Sequence, residues 1–473
     1  MSKLSLQAIL CGLLFLATPS HGNQVLQSNL ADQEAVEVTV YNNNLGLIKD
    51  VRTTVLPAGE GELRFMDVAA HIQPATVHVS PVDPASGFLV LEQNYEYDLM
   101  NAEKLLDKYV GREIKIVDWN DFQDRKDTVE ATLLSNNQGQ VYRIGGEIYL
   151  GHPGIKVLPA LPGNLISKPT LTWLFRTEKA GEQKIRVSYL TGNIQWRADY
   201  ILLLDEDDAG ADLSAWVTVD NRSGALYQNA RLKLVAGEVH RAEPELGTDK
   251  LALGRAMATP QAEEFREEAF FEYHIYDLER PTTLKDQQTK QIRLLEAPGI
   301  SVEKELLVTG SKWYYARKFR DLRKKEPVNV TISFRNEKEN KLGIPLPAGI
   351  IRLYKQDSRG SQQFIGEDRI EHTPRDETVR LKTGEAFDVV AERVQTDYRQ
   401  ITTALHETSW EVTLRNHKEE PVAVSILEPL AGNWKILESS HAYTKTDAFH
   451  VRFEVEVPAD GAAKVEYTVR VGL

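Results

Sequence analysis

Apolar and polar side chains alternate every second residue along much of this chain, a pattern that predicts β-strands with one buried and one solvated face. Val36, Val38 and Val40 alternate with Glu37, Thr39 and Tyr41; Ile185, Val187 and Tyr189 alternate with Lys184, Arg186 and Ser188. Val465, Tyr467, Val469 and Val471 alternate with Lys464, Glu466, Thr468 and Arg470. A half-buried face needs a second sheet laid over it. Short alternating strands separated by Gly, Pro and Asn turns therefore predict an all-β, multi-module antiparallel β-sandwich (Ig-like) architecture. Several strands run into an asparagine, at Asn42, Asn221, Asn336 and Asn416, where the expected reason is that asparagine tolerates positive φ in a turn. Pro/Ala-Gly turns ending at Gly59, Gly181 and Gly461 feed further strands. These echoes indicate repeated sandwich architecture and not a counted repeat.

The texture changes between Glu103 and Pro162. Ala102 to Tyr109 reads as one or two helical turns with Leu105 and Leu106 inward, followed by short strands around Ile114, Val129 to Leu134, Val141 to Ile144 and Glu147 to Leu150. That spacing suits a small five-stranded, SH3-like barrel; the alternative is a set of hairpins inserted into the first sandwich. A second break, residues 241–290, is polar, and Thr259-Pro260 opens an acidic stretch, Glu263, Glu264, Glu267 and Glu268, read as a short helix. The predicted organisation is N-terminal strands over 34–102, the barrel-like region over 103–162, a sandwich over 166–240, the polar insertion over 241–290, and a C-terminal sandwich over 291–473.

Residues 1–22 carry a different pattern, with Lys3, an apolar run from Leu4 to Leu16, and Ser20-His21-Gly22 at the end. This is the layout of a cleavable secretory signal peptide, and the run is shorter than the roughly 20 residues a spanning helix needs. The expected mature chain starts near Asn23 and is periplasmic or extracellular, with no transmembrane segment. Leu10 before Cys11 does not fit a lipoprotein site. Cys11 is the chain's single cysteine, so the mature protein would have no disulfide, thiolate nucleophile or Cys-ligated zinc. Removing Lys3 leaves 55 basic side chains, one fewer than the whole chain's 56, against 69 acidic ones; the net charge becomes −14 and disfavours nucleic acid as a partner.

The sequence has no phosphate loop, nucleophile elbow, zinc-protease helix or dinucleotide fingerprint, so it names no catalytic residue, cofactor or metal site. Asp205, Asp207 and Gly210 occupy the first, third and sixth positions of a calcium-loop pattern, but Ala209 and Trp216 fall where ligands should be, and a solvated hairpin tip is the better reading. The histidines, His71, His78, His441 and His450 among them, have no metal-ligand spacing. The candidate binding surface is the run from Lys312 to Lys325, with seven basic residues and four aromatics in 14 positions. Trp313, Tyr315, Arg317, Lys318, Arg320, Lys324 and Lys325 would offer stacking faces and cations to an anionic glycan or lipid head group. The competing interpretation is a strand with a charged outer face leading to a lysine-rich hairpin, with half of the aromatics inward.

From Tyr189-x-x-Gly192-x-x-x-Trp196-x-Ala198-x-Tyr200 onward the chain resembles an uncharacterised secreted bacterial family that shares a domain of unknown function with mucoidy inhibitor-like proteins. Val217-x-Val219-x-Asn221-x-Ser223-Gly224, Asn229-Ala230 through Gly237, Leu346-Pro347-Ala348-Gly349-x-x-Arg352-x-Tyr354, Gly366-Glu367 and His372-Thr373-Pro374 carry the resemblance. Tyr227 departs from it, since a tryptophan is usual there, and longer members place a coiled coil where this chain has its small strands. The resemblance implies a β-rich envelope protein and carries over no catalytic residue. Trp196 and Tyr200 share one strand face and read as core. The expected function is that of a secreted, non-enzymatic cell-envelope protein acting through protein or glycan contacts; the alternative is an envelope polysaccharide hydrolase or lyase. Ligand, oligomeric state and side of the outer membrane are not written in the sequence.

Overall fold

The computed structural model describes residues 25–96, 102–120, 125–160, 168–237, 239, 265–270, 273–315, 317–319 and 323–472. The expected signal peptide, residues 1–22 with Cys11, lies outside the described residues, as do Thr259 to Glu264. The described chain is nearly all strand and falls into two compact units. One comprises Met1–Glu37, Leu47–Gly192 and Ser223–Gln228; the other comprises Val38–Gly46, Asn193–Arg222 and Asn229–Leu473.

In the first unit a four-stranded sheet runs in the order Val25–Ser28, Gly59–Met66, Thr170–Thr177, Leu89–Glu96. Its first pair is parallel and the others antiparallel. Alternation puts Leu63, Phe65, Leu171, Trp173 and Phe175 on one fully buried face, with the Phe65 and Trp173 rings 5.2 Å apart. The strand Leu45–Leu56 buries Ile48, Asp50, Arg52, Thr54 and Leu56 at alternate positions, so two charges enter the core together. Arg52 donates from Nε and Nη2 to Asp50 Oδ2 at 3.1 and 2.8 Å, and from Nη1 to the carbonyls of Ser28 and Met66. Its guanidinium lies 3.6 Å from the Phe65 ring centroid, which adds a cation–π contact.

The region 103–162 forms an open sheet and not a barrel. Its strands run Glu147–Leu150, Val141–Ile144, Arg125–Ser135, Glu113–Asn120, Ile155–Val157, all antiparallel, and the first and last do not pair with each other. This is the hairpin alternative: four- and three-residue edge strands are too short to close a barrel over so small a core. Ile114, Ile116, Ala131, Leu133 and Tyr142 are buried on one face together with Tyr109, and the helix Ala102–Lys108 lays Leu106 against them.

In the second unit a five-stranded sheet runs Gln288–Ser301, Gly210–Asn221, Ile194–Leu204, Gly349–Gln356, Gln362–Ile370. Trp196, Ala198, Tyr200 and Leu202 all point inward, as their shared parity predicts. Trp196 Nε1 donates to the Val235 carbonyl and Tyr200 OH to that of Pro347, at 3.1 and 2.7 Å. Gly349 pairs with Ala198 in parallel register, and a Cβ there would collide with the Ala198 carbonyl and the Tyr200 ring, so the Pro-Ala-Gly turn needs its glycine. Part of the polar insertion, residues 241–290, is described. Strands Phe265–Phe270, Tyr273–Leu278 and Thr282–Leu284 occupy its second half, and Glu267 and Glu268 lie in a strand rather than a helix, since pairing with Tyr273–Leu278 satisfies their backbone.

The C-terminal sandwich has a six-stranded sheet, Thr378–Glu385, Asn329–Arg335, Glu303–Thr309, Val422–Pro429, His450–Val457, Tyr443–Lys445. Facing it is a five-stranded sheet, Arg323–Glu326, Val389–Gln400, Leu405–Asn416, Ala462–Gly472, Asn433–Ser439. Val424, Ile426, Phe453 and Val455 of one meet Trp410, Val412, Val469 and Val471 of the other in a common core. Leaving water stabilises the fold by about 1.5–3 kcal/mol for each such side chain. Most pairs are antiparallel as expected, but Glu303–Thr309 pairs parallel with Val422–Pro429. The strand-end asparagines work differently from the expectation. Asn221, Asn336 and Asn416 are buried without positive φ, and their side-chain amides donate to loop carbonyls: Asn221 to Lys285, Asn336 to Ile344 and Pro374, Asn416 to Glu420 and Pro458. A buried amide with several partners fixes a loop more firmly than a turn preference does.

Candidate functional site

The run from Lys312 to Lys325 is divided by the fold. Lys312–Tyr315 forms a single 3₁₀ turn rather than the strand of the competing interpretation, entered through Gly310, where any Cβ would collide with the Glu428 carboxylate. A 3₁₀ turn fans successive side chains apart. Trp313 is left 67% exposed, with the Lys312 ammonium 5.3 Å from its ring centroid, while Tyr314 and Tyr315 enter the sandwich. Arg317, Lys318 and Lys325 are exposed. Arg320 lies outside the described residues, and Lys324 is described only as part of the strand Arg323–Glu326. Tyr315, 1% exposed, is therefore withdrawn from the candidate surface: it has a buried polar partner that its sequence neighbours do not announce.

That partner is a charge network in the core of the sandwich. Arg393 stands at an inward position of Val389–Gln400, Glu326 ends Arg323–Glu326, and Glu428 stands at an inward position of Val422–Pro429 in the opposite sheet. Arg393 Nε donates to Glu326 Oε2 at 2.9 Å, and Nη1 donates to Glu428 Oε1 at 2.5 Å. Each glutamate's second oxygen accepts from a tyrosine of the turn, Glu326 Oε1 from Tyr314 OH at 2.9 Å and Glu428 Oε2 from Tyr315 OH at 2.7 Å. Tyr467 OH accepts from Arg393 Nη1 at 3.1 Å and lies 3.0 Å from Tyr315 OH; because the Tyr315 proton is directed at Glu428, Tyr467 donates in that pair. Trp410 closes the cluster, its ring 5.4 Å from Tyr314 and 5.9 Å from Tyr315.

The electrostatics keep every proton in place. Burial would pull Arg393 down, but Glu428 and then Tyr467, Tyr315 and Glu326 more than offset it, and the guanidinium stays charged. Burial, and then Glu428, push Tyr315 and Tyr467 far above the usual phenol range. Tyr314 is pushed up to about 12, by burial first and by Glu326 second. Two carboxylates on one arginine look like acid–base machinery, yet side-chain exposures of 0% for Arg393 and Glu428 and 4% for Glu326 leave no path for a substrate. Arrangement and burial both describe an anchor: the turn bearing Trp313 is plugged between two sheets.

The acidic run at Asp205–Asp212 lies at the tip of the hairpin joining Ile194–Leu204 to Gly210–Asn221. Asp208 is partly buried, which would raise it, but ion pairs to Lys304 and Lys355 at 2.6 and 2.5 Å outweigh burial and hold it below the usual carboxylate range. His450 pairs with Asp447 at 2.8 Å on the surface. Among the described residues, no three His, Cys, Asp or Glu side chains gather in a way that could hold a metal ion, and no helix is long and apolar enough to cross a membrane. An open depression lined by Glu303, Arg335, Glu337, Asn340 and Arg380 mixes both signs of charge, with Arg335 paired to Glu337.

Sequence reasoning reached the exposed tryptophan and cations but missed Arg393, Glu326, Glu428 and Tyr467. The signal was parity: Val389, Ala391 and Arg393 share one strand face, as do Val424, Ile426 and Glu428, so each apolar face carries one charge of opposite sign.

Fold and site together define an all-β protein whose C-terminal sandwich presents an anchored cationic turn. The chain belongs to the family described as Domain of unknown function (DUF4139), whose model matches residues 185–472. No curated protein matches the chain.

Proposed function

We propose that this is an exported, non-enzymatic protein of the bacterial cell envelope that works by presenting a rigid cationic and aromatic turn to an anionic glycan or to another envelope protein. The observation that carries the reading is the contrast within one turn: Trp313 stands in solvent beside Lys312, with Arg317 and Lys318 exposed just beyond the turn, while the adjacent Tyr314 and Tyr315 are locked to Glu326 and Glu428. A pre-ordered turn loses little conformational entropy when it binds, which favours recognition by display. Export is supported by the leader pattern of residues 1–22, and a tie to mucoidy inhibitor-like proteins by the motifs from Tyr189 to Pro374. Against a hydrolase or lyase, the carboxylates drawn to Arg393 are engaged by it and by tyrosines in a dry core.

The test is retention of the mature chain on immobilised anionic envelope polysaccharide. Replacing Arg317, Lys318, Arg320, Lys324 and Lys325 by serine is expected to abolish retention with the melting temperature unchanged. Unchanged retention, or shortening of the polysaccharide during incubation, contradicts the proposal.

A further inference from the structure

The outer face of the five-stranded sheet in the first unit has the wrong chemistry for a face that meets only water. Antiparallel sheets commonly turn one face to solvent, and that face is ordinarily polar. Residues directly paired in antiparallel register share a face, so Ile155 and Val157 lie on the same side as Val117 and Lys115, Trp119 as Lys126, and Ile148 as Arg143 and Thr132. Every one of these points away from the Ile116, Leu133 and Tyr142 core. The face carries Trp119 at 57% exposure, Ile148 at 64%, Leu150 at 88% and Ile155 at 73%. The apolar residues cluster toward the two edges, where Glu147–Leu150 and Ile155–Val157 are the terminal strands of the sheet. Edge strands are usually guarded by outward charge or proline, and here they present branched aliphatics instead.

Between those rails stand cations. Lys115, Lys126 and Arg143 are exposed on the same face and have no ion-pair partner among the described residues, and the exposed acids beside them on the paired strands are Glu113 and Glu130. Cations thus outnumber acids on this face while the whole chain carries a formal charge of −13, a local reversal of sign that favours an anionic partner. Five strands at about 4.8 Å spacing make a face roughly 20 Å across, broad and flat rather than cleft-like. Apolar side chains and a tryptophan at the margins, with lysine and arginine between, match the depth order of a lipid surface: acyl boundary, interfacial indole, phosphate.

We infer that this sheet face docks the protein on an anionic phospholipid bilayer, with Trp119, Ile148, Leu150 and Ile155 entering the interface and Lys115, Lys126 and Arg143 meeting lipid phosphates. The inference uses none of the residues of the glycan-facing turn, so the two readings fail independently.

The experiment is co-sedimentation of the full mature chain with phosphatidylcholine vesicles, with and without about a third phosphatidylglycerol. Two variants are compared, one with Trp119, Ile148, Leu150 and Ile155 all changed to serine, the other with Lys115, Lys126 and Arg143 all changed to glutamine. Binding to the anionic vesicles is expected, weakening as salt is raised, and falling at least about tenfold in each variant because apolar insertion and phosphate attraction both contribute. The replaced side chains are exposed, so circular dichroism should be unchanged, and the glutamine variant, which keeps the apolar rails, serves if the serine variant misfolds. Absence of vesicle binding by the native chain, or variants that bind as the native chain does, overturns the inference. A concentration-dependent dimer abolished by the serine substitutions, without vesicle binding, overturns it in favour of a second copy.

Discussion

Among the described residues each unit buries one arginine completely, and the two are satisfied in different ways. Arg52 meets a single carboxylate from its own strand, and two backbone carbonyls and a phenyl face from the strands Val25–Ser28 and Gly59–Met66 of the four-stranded sheet. Arg393 meets two carboxylates, one from each sheet of its sandwich, and both carboxylates are completed by tyrosines from one short turn. The first is a local clamp between Asp50 and Arg52, which are two residues apart. The second ties together segments from Tyr314 to Tyr467 and holds a surface turn at its centre. Charge balance differs accordingly: removing Arg52 strands one carboxylate, and removing Arg393 strands two.

This comparison orders the expected effects of mutation. Arg393→Met should cost the most, about 3–5 kcal/mol, because two buried carboxylates lose their counter-charge while their tyrosine donors remain. Urea unfolding measures it, and a loss below about 1 kcal/mol would show that water reaches the network. Arg52→Leu should cost less, about 2–3 kcal/mol, from the unpaired Asp50 and two abandoned carbonyls. Adding Asp50→Leu should recover part of that loss, since an apolar pair replaces the ion pair; no single added substitution should do the same for Arg393→Met.

A smaller effect comes from a histidine at the surface. His372 accepts a hydrogen bond from the Ala348 amide through Nδ1 at 3.1 Å, and desolvation, offset in part by Glu371, holds its pKa below the ordinary imidazole value. A histidine depressed in the folded state binds more protons when unfolded, so its contribution is full above the unfolded value of about 6.5 and is lost as pH falls through the lower folded value. The native chain should therefore lose more melting temperature between pH 7.5 and 5.5 than His372→Gln does, and equal losses would remove His372 from the account.

What could be read in the sequence followed from periodicity. Val465 to Val471, Ile185 to Tyr189 and the Trp196/Tyr200 face are strands with the buried sides that their parity predicts. Asp50, Arg52, Arg393 and Glu428 were hidden because a charge at an inward position interrupts the apolar count that defines a face, and its partner lies 35 or more residues away in the case of Arg393. The turn at Lys312–Tyr315 departs from the strand alternative for a related reason. Alternation of basic and aromatic residues looks like a pleat, but Gly310 and the two tyrosine anchors set a tighter backbone. The open five-stranded sheet was legible as strands; its failure to close was not, since closure depends on edge pairing that no local pattern encodes.

The most direct measurement for the anchor is a double-mutant cycle by urea denaturation on Arg393→Met and Glu428→Gln. If the arginine and the glutamate together hold the display turn in place, the double variant should be less destabilised than the sum of the singles by at least about 1.5 kcal/mol. Additivity to within about 0.5 kcal/mol would mean that the two charges act separately and that the turn is held by something else.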